Sequence, residues 1–330
     1  MQYDLPLSEL RTYRPQIAEP SDFDDFWNHT VAESRAVRNE VTCAPLALGL
    51  TGVDTFDVSF PGFGGDPIRA WLRLPALREE RERLPLVVQF PGYAGGRGWP
   101  TDPVMWPLAG YAHLSVDVRG QGLDRQRGDT PDPHSSDSGE APGWMTRGIR
   151  DPSTAYYRRV FTDAVRAVDA AAHLPGVDPG RVALDGTSQG GGIALAVAGL
   201  STEVQAVISA TPFLSHIELA MTRLTDAGPS GEIARFLKSQ RADTERVLRT
   251  LSYLDVATHA ARADAPLLMS VSLMDDVCPP RTVFAAFNRY GAADKEMTVY
   301  PYNGHEGGEG EWDRRKLDWL RAHLPATPSG

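Results

Sequence analysis

Three things are scarce in this 330-residue chain: lysine, cysteine and long apolar runs. Lysine supplies only three of the 33 basic residues (Lys238, Lys295, Lys316), and the net charge is −10. With no Lys/Arg-rich block, the chain lacks the basic stripe that draws a protein to nucleic acid. Two cysteines, Cys43 and Cys278, cannot make a disulfide framework and fit a reducing compartment. The apolar stretches fall short of the ~18 residues of a membrane span. The opening Met1–Leu10 carries no basic segment followed by an apolar one, so the sequence predicts a cytoplasmic protein without a secretory leader. Also missing are the Gly-Lys-Ser/Thr ending of a phosphate loop and a Gly-x-Gly-x-x-Gly fingerprint; Gly92–Gly96 does not match the latter. At 42% hydrophobic and 23% charged residues, disorder is excluded as the main state.

What is present alternates between short apolar runs and helical patterns. Phe56–Phe60 and Arg69–Leu74 flank a Gly-rich turn and read as a hairpin. Leu86–Phe90, Leu114–Val118, Arg181–Asp185, Val204–Ala210, Leu267–Leu273 and Met297–Tyr302 read as strands, apolar enough to be buried on both faces. Tyr156–Leu174, Gly190–Leu200, Val283–Tyr290 and Trp312–Leu324 read as helices between or after them. This alternation predicts an α/β fold, a mostly parallel sheet covered by helices on both faces. One domain over residues 1–330 is expected, with three additions. Residues 1–45 form an N-terminal extension, in which Asp22 caps a helix that docks Phe23, Phe26 and Trp27 on the core. Residues 124–150 form a long polar loop, of the kind that serves function or an interface. Residues 214–254 form a helical insertion expected to wall a pocket over the strand ends. Asp132, His134 and Asp137 have metal-ligand chemistry, but their Ser/Pro/Asp-rich surroundings read as a solvated loop.

The strongest chemical signal is Gly186-Thr187-Ser188-Gln189-Gly190 between a strand and a small-residue helix. That context defines a nucleophile elbow, in which a strained turn exposes the serine at the N-terminus of a helix. A serine hydroxyl needs a base. In α/β-hydrolases the acid and then the histidine follow the serine along the chain. Of His216, His259, His305 and His323, only His305 lies in a Gly-flanked loop just past the last strand. The acid is expected after Leu267–Leu273, where Asp275 and Asp276 are equally placed by spacing. Two N–H donors are expected to hold the oxyanion, those of Gln189 and, from the loop after Leu86–Phe90, Tyr93.

Together these residues resemble the acetyl xylan esterase and cephalosporin C deacetylase family, carbohydrate esterase family seven of the α/β-hydrolases. The motifs are Arg119-Gly120-Gln121-Gly122, the Ser188 elbow and His305-Glu306, supported by Asp22–Trp27, Gly143–Gly148 and Tyr156–Arg158. The similarity runs along nearly the whole chain. It implies a Ser188–His305–Asp275 triad, with Tyr93 as an oxyanion and substrate contact and Arg119 and Gln121 as scaffold. It also implies removal of small acyl groups, chiefly acetate, from sugars or the antibiotic, no metal or cofactor, and a cytoplasmic homo-oligomer, often a hexamer. The chain departs from the family pattern at Pro91 (commonly His), Leu123 (Gly) and Gly307 (a bulky apolar residue). These departures admit a second reading, an esterase or acyltransferase of specialised metabolism with another acyl group or acceptor. A non-catalytic relative is a third, opposed by the complete set of chemical residues.

Overall fold

The structure, a computed structural model, describes residues 4–79, 81–123, 126–134, 142–224 and 228–326. Nine strands form one sheet: β1 (Thr42–Leu46), β2 (Val53–Pro61), β3 (Pro67–Pro75), β4 (Leu84–Phe90), β5 (Ala112–Val116), β6 (Val177–Thr187), β7 (Val204–Ala210), β8 (Leu267–Ser272) and β9 (Lys295–Tyr300). Their order is β1-β2-β3-β5-β4-β6-β7-β8-β9. The pairs from β5 to β9 are parallel, and β1, β2 and β3 pair antiparallel. The expected hairpin is β2–β3. β1 was not foreseen; it takes the last four residues of the predicted extension and Leu46 beyond it. Its sequence, Thr-Cys-Ala-Pro-Leu, holds a proline and is mostly exposed, as an edge strand allows.

The β-period of two explains why the central runs are apolar throughout. On β6, Val182 and Leu184 enter the core on one face while Ala183 enters the other. The first core holds the helices Tyr156–Asp169 and Gln189–Leu200. The second holds Trp106, Tyr111 and, from the helix Glu309–His323, Trp312, Trp319 and Leu320. Within that second layer Asp185 is buried and accepts from Gln89 (3.0 Å), Trp106 (3.1 Å) and Lys316 (3.3 Å).

The N-terminal helix Phe23–Ala36 docks as its apolar face predicts, with Phe23 and Trp27 buried. The Trp27 indole donates to Tyr253 O at 3.0 Å. The buried His259 ring sits among Phe23, Trp27 and Phe161, with centroids 4.9, 5.0 and 5.4 Å away. Asp22 does not cap this helix with its side chain; its carboxylate instead accepts the Tyr253 hydroxyl at 2.5 Å. A tertiary partner has displaced the local cap.

The solvated reading of the 124–150 segment fails at Asp132. That carboxylate is buried, accepts from Arg159 at 2.8 Å and lies 3.4 Å from Arg119. His134 meets Asp66 at 2.9 Å. Asp137, with residues 124, 125 and 135–141 of that segment, lies outside the described residues.

Candidate active site

β4, β6, β8 and β9 bring their C-terminal ends to one edge, and the chemical residues project from the loops that follow. At the end of β6, Ser188 adopts φ 58° and ψ −118°, a conformation L-residues avoid and a nucleophile elbow requires. Two glycines make the turn possible. A Cβ on Gly186 would stand 2.2 Å from the Gly190 carbonyl carbon, and one on Gly190 would stand 2.1 Å from Phe90 O. The Ser188 N–H donates to Ala210 O (2.9 Å), and its carbonyl accepts from Gly192 N (3.0 Å) and Phe213 N (2.9 Å). Every backbone group of the strained residue except its dihedrals is therefore satisfied.

His305 reaches back to this serine. Its Nε2 lies 3.0 Å from Ser188 Oγ, and its Nδ1 lies 2.8 Å from Asp275 Oδ2. Asp275 is fully buried, and its other oxygen accepts the N–H groups of Val277 and Cys278, both at 2.8 Å. Those two donors hold the carboxylate as an acceptor toward His305. Nδ1 then carries the ring proton, leaving Nε2 to accept the serine hydroxyl. The Asp275/Asp276 alternative left open by spacing separates here, since Asp276 is exposed and Asp275 faces the imidazole. The other histidines lie elsewhere. His216 is 3.4 Å from the Tyr13 hydroxyl, His259 is in the aromatic cluster, and His323 stacks on Trp319.

The loop after β4 passes over the elbow. Gln189 turns its side chain inward, where its amide nitrogen donates to Gly92 O (3.2 Å) and its oxygen accepts from Gln121 (2.9 Å) and the Tyr157 hydroxyl (2.7 Å). Gln121 in turn accepts the Ala94 N–H at 2.8 Å and donates to the Tyr156 hydroxyl at 3.0 Å. The loop carrying Tyr93 is thus tied to the residue after the serine. Among the described residues, neither the Tyr93 nor the Gln189 N–H has an intramolecular acceptor. Arg119 lies beneath this layer, fully buried, with bonds of 2.6 and 2.8 Å to Asp163 and 2.9 Å to Asp66.

Two neighbours had no signal in the sequence. Cys278 Sγ lies 4.0 Å from Ser188 Oγ, and burial pushes its thiol well above the usual range, so it stands as neutral S–H. One donor atom each of Asp275, Cys278 and His305 also lies within 4.8 Å of the others, a spacing a metal ion could bridge. Glu232, from the helical insertion, accepts the Tyr93 hydroxyl at 2.6 Å. A larger cavity of about 500 Å³ lies between residues 16–22 and the helix Thr244–Leu254, away from all of these groups.

Residues 1–323 match the family model described as acetyl xylan esterase (AXE1). The chain belongs to the acetyl xylan esterase family. An acetyl xylan esterase from Paenibacillus sp. R4 is 36% identical, with a TM-score of 0.90 over 97% of this chain and all of that one. Acetyl xylan esterase 1 from Thermoanaerobacterium sp. JW/SL YS485 is 31% identical, with a TM-score of 0.87 over 99% of this chain and all of that one. Acetyl esterase Axe7A from Xylanibacter ruminicola is 28% identical over 319 residues, 94% of this chain and 69% of that protein. At 14% identity and a TM-score of 0.58, an acylaminoacyl peptidase from Pyrococcus horikoshii shares the fold alone. The fold is that of the α/β-hydrolases.

Proposed function

We propose that this protein is a serine esterase that hydrolyses small acyl esters, acetate above all, through an acyl-enzyme on Ser188. The observation that carries the reading is the continuous chain Asp275–His305–Ser188, with links of 2.8 and 3.0 Å, in a member of the acetyl xylan esterase family. Ser188 Oγ attacks the acetyl carbonyl while His305 Nε2 takes its proton. The carbonyl oxygen becomes negative and is held by the N–H groups of Tyr93 and Gln189, with the helix Gln189–Leu200 pointing its positive end the same way. His305 gives its proton to the departing alkoxide, leaving acetyl on Ser188. Water then attacks, again through His305, and acetate leaves with the serine restored.

The substrate is an acetylated sugar or a cephalosporin-type acetate ester, and the protein acts in the cytoplasm as a homo-oligomer, a hexamer by family resemblance. No helix among the described residues is long and apolar enough to cross a membrane.

A second reading replaces water with an alcohol acceptor. Pro91 and the 57%-exposed Leu123, both departures from the family pattern, motivate it. Gly307 is less telling, because its φ of +66° favours glycine on backbone grounds. Turnover of p-nitrophenyl esters of increasing acyl length decides, with added alcohols as competitors for water. The acetate ester should be fastest and the rate should fall steeply with length. A butyrate or longer ester that outpaces acetate rejects the small-acyl reading. A transfer product that dominates in dilute alcohol favours the acceptor reading.

A further inference from the structure

Among the contacts that hold the Tyr93 loop, two side-chain grips come from the core beneath it: Gln189 on Gly92 O and Gln121 on Ala94 N. Another comes from outside that core. Glu232 stands in the first turn of the insertion helix Ser230–Ser239, where the helix dipole favours a carboxylate. Its Oε1 accepts the Tyr93 hydroxyl at 2.6 Å and the Gly143 N–H at 3.1 Å, and its Oε2 accepts the Met145 N–H at 3.1 Å. Between those two amides, Trp144 lays its ring edge-on against the Tyr93 ring, with centroids 5.1 Å apart, and ties its indole N–H to Gly120 O at 2.7 Å. One side chain therefore joins the insertion, the 143–145 turn and Tyr93, the residue read as an oxyanion donor. Tyr93 is followed by Ala94 at φ +63°, an unfavourable conformation that needs support from its surroundings.

We propose that Glu232 is a positioning residue for the oxyanion site, which fixes the Tyr93 N–H over Ser188 by gripping the Tyr93 phenol and the 143–145 turn with one carboxylate. The inference rests on the reading of Ser188 as nucleophile and Tyr93 as oxyanion donor. It assigns the helical insertion a part in the chemical step. A donor moved by a few tenths of an ångström is weakened mainly in the transition state, where the oxygen carries charge, so the loss falls on kcat rather than KM. A glutamine at 232 keeps a single acceptor oxygen for what were three N–H and O–H donors on two oxygens, so it holds the phenol but not the whole turn.

The test compares Glu232→Ala, Glu232→Gln, Tyr93→Phe and the Glu232→Ala/Tyr93→Phe pair on p-nitrophenyl acetate and on the matching thionoacetate, with Tm measured for each. Full loss of an oxyanion donor costs ~10²–10³ in kcat, so displacing one should cost Glu232→Ala roughly 10–100-fold in kcat with KM within about twofold. Glu232→Gln should lose less. The pair should be no slower than Glu232→Ala alone, because both changes cut one unit. A sulfur anion is a poorer hydrogen-bond acceptor than oxygen, so the preference for the oxo over the thiono ester should shrink in step with kcat. Wild-type kcat in Glu232→Ala, costs that multiply in the pair, a change confined to KM, or an unchanged oxo/thiono preference would each overturn the proposal. If Glu232→Ala fails to fold, Glu232→Gln and Tyr93→Phe carry the same comparison. Ser188→Ala separates the layers. An active Ser188→Ala rejects the underlying mechanism, while an inactive Ser188→Ala beside fully active Glu232 variants rejects only the role of Glu232.

Discussion

Replacing Asp275 by asparagine changes one atom and should abolish most of the activity, for a reason the hydrogen bonds spell out. In the native site Oδ1 accepts Val277 N–H and Cys278 N–H, both at 2.8 Å, and Oδ2 accepts His305 Nδ1–H at 2.8 Å. Asparagine has one acceptor oxygen and one donor NH2. If the NH2 faced the two backbone N–H groups, both would be buried without a partner, at about 1–3 kcal/mol each. The oxygen therefore stays with the backbone, and the NH2 turns to His305 Nδ1. Nδ1 must then accept, the ring proton moves to Nε2, and Nε2–H points at Ser188 Oγ across the present 3.0 Å bond. A donor there cannot take the serine proton. Loss of the correct tautomer costs ~10⁴ in kcat in the serine protease case, or about 5 kcal/mol of barrier. Asp275→Asn should accordingly fall by about that factor on p-nitrophenyl acetate, with Tm nearly unchanged because each of the three contacts named keeps a heavy-atom counterpart. Asp276→Asn, on an exposed side chain, serves as the control and should stay near wild type. Asp275→Asn retaining more than about a tenth of wild-type kcat would refute this reasoning.

Two further expectations rest on single contacts. Gly190→Ala would drive a methyl to 2.1 Å from Phe90 O, so β4 and the elbow helix must separate. The expected result is a loss of about 1–3 kcal/mol or more in urea unfolding, together with a fall in kcat beyond tenfold, since the oxyanion loop starts at Phe90; native stability and activity in that variant would contradict the packing described. His259 bears on pH. Burial lowers its pKa from 6.5 to about 3, so the folded ring stays neutral while the unfolded one protonates. Its contribution is fully present above pH 6.5 and is lost as pH falls from there toward 3, at about 1.4 kcal/mol per unit. His259→Phe should flatten the stability curve between pH 6.5 and 4 relative to wild type, and parallel curves would rule out a neutral buried His259.

Much of the sheet was legible because its strands are buried on both faces and so read as continuous apolar runs. Val204–Ala210 matches β7 at both ends, and β8 and β9 differ by only one or two residues at their ends. β1 was illegible because an edge strand needs no apolar pattern, and Pro45 argued against it. Asp22 and Asp132 were misread for a common reason: local sequence describes the neighbours in the chain, and both carboxylates found partners far away, at Tyr253 and Arg159. At the site, Ser188 was marked by its own flanking glycines, and His305 by chain order together with its Gly-flanked loop just past the last strand. The choice between Asp275 and Asp276 depends on which carboxylate the Val277 and Cys278 N–H groups hold, a matter of loop rotation that spacing does not encode. Glu232 carried no signal at all, being one acid among several in a polar insertion whose relation to Tyr93 exists only in three dimensions.

The central claim is that Ser188 carries the acyl group between two half-reactions. Rapid quenching during turnover of p-nitrophenyl acetate, followed by intact-mass and peptide analysis, observes that species directly. The account predicts one acetyl group on the peptide containing Ser188, formed and lost at rates consistent with turnover, and neither adduct nor turnover in Ser188→Ala. Turnover near the wild-type rate in Ser188→Ala, or a kinetically competent acetyl group on any other residue, would contradict it.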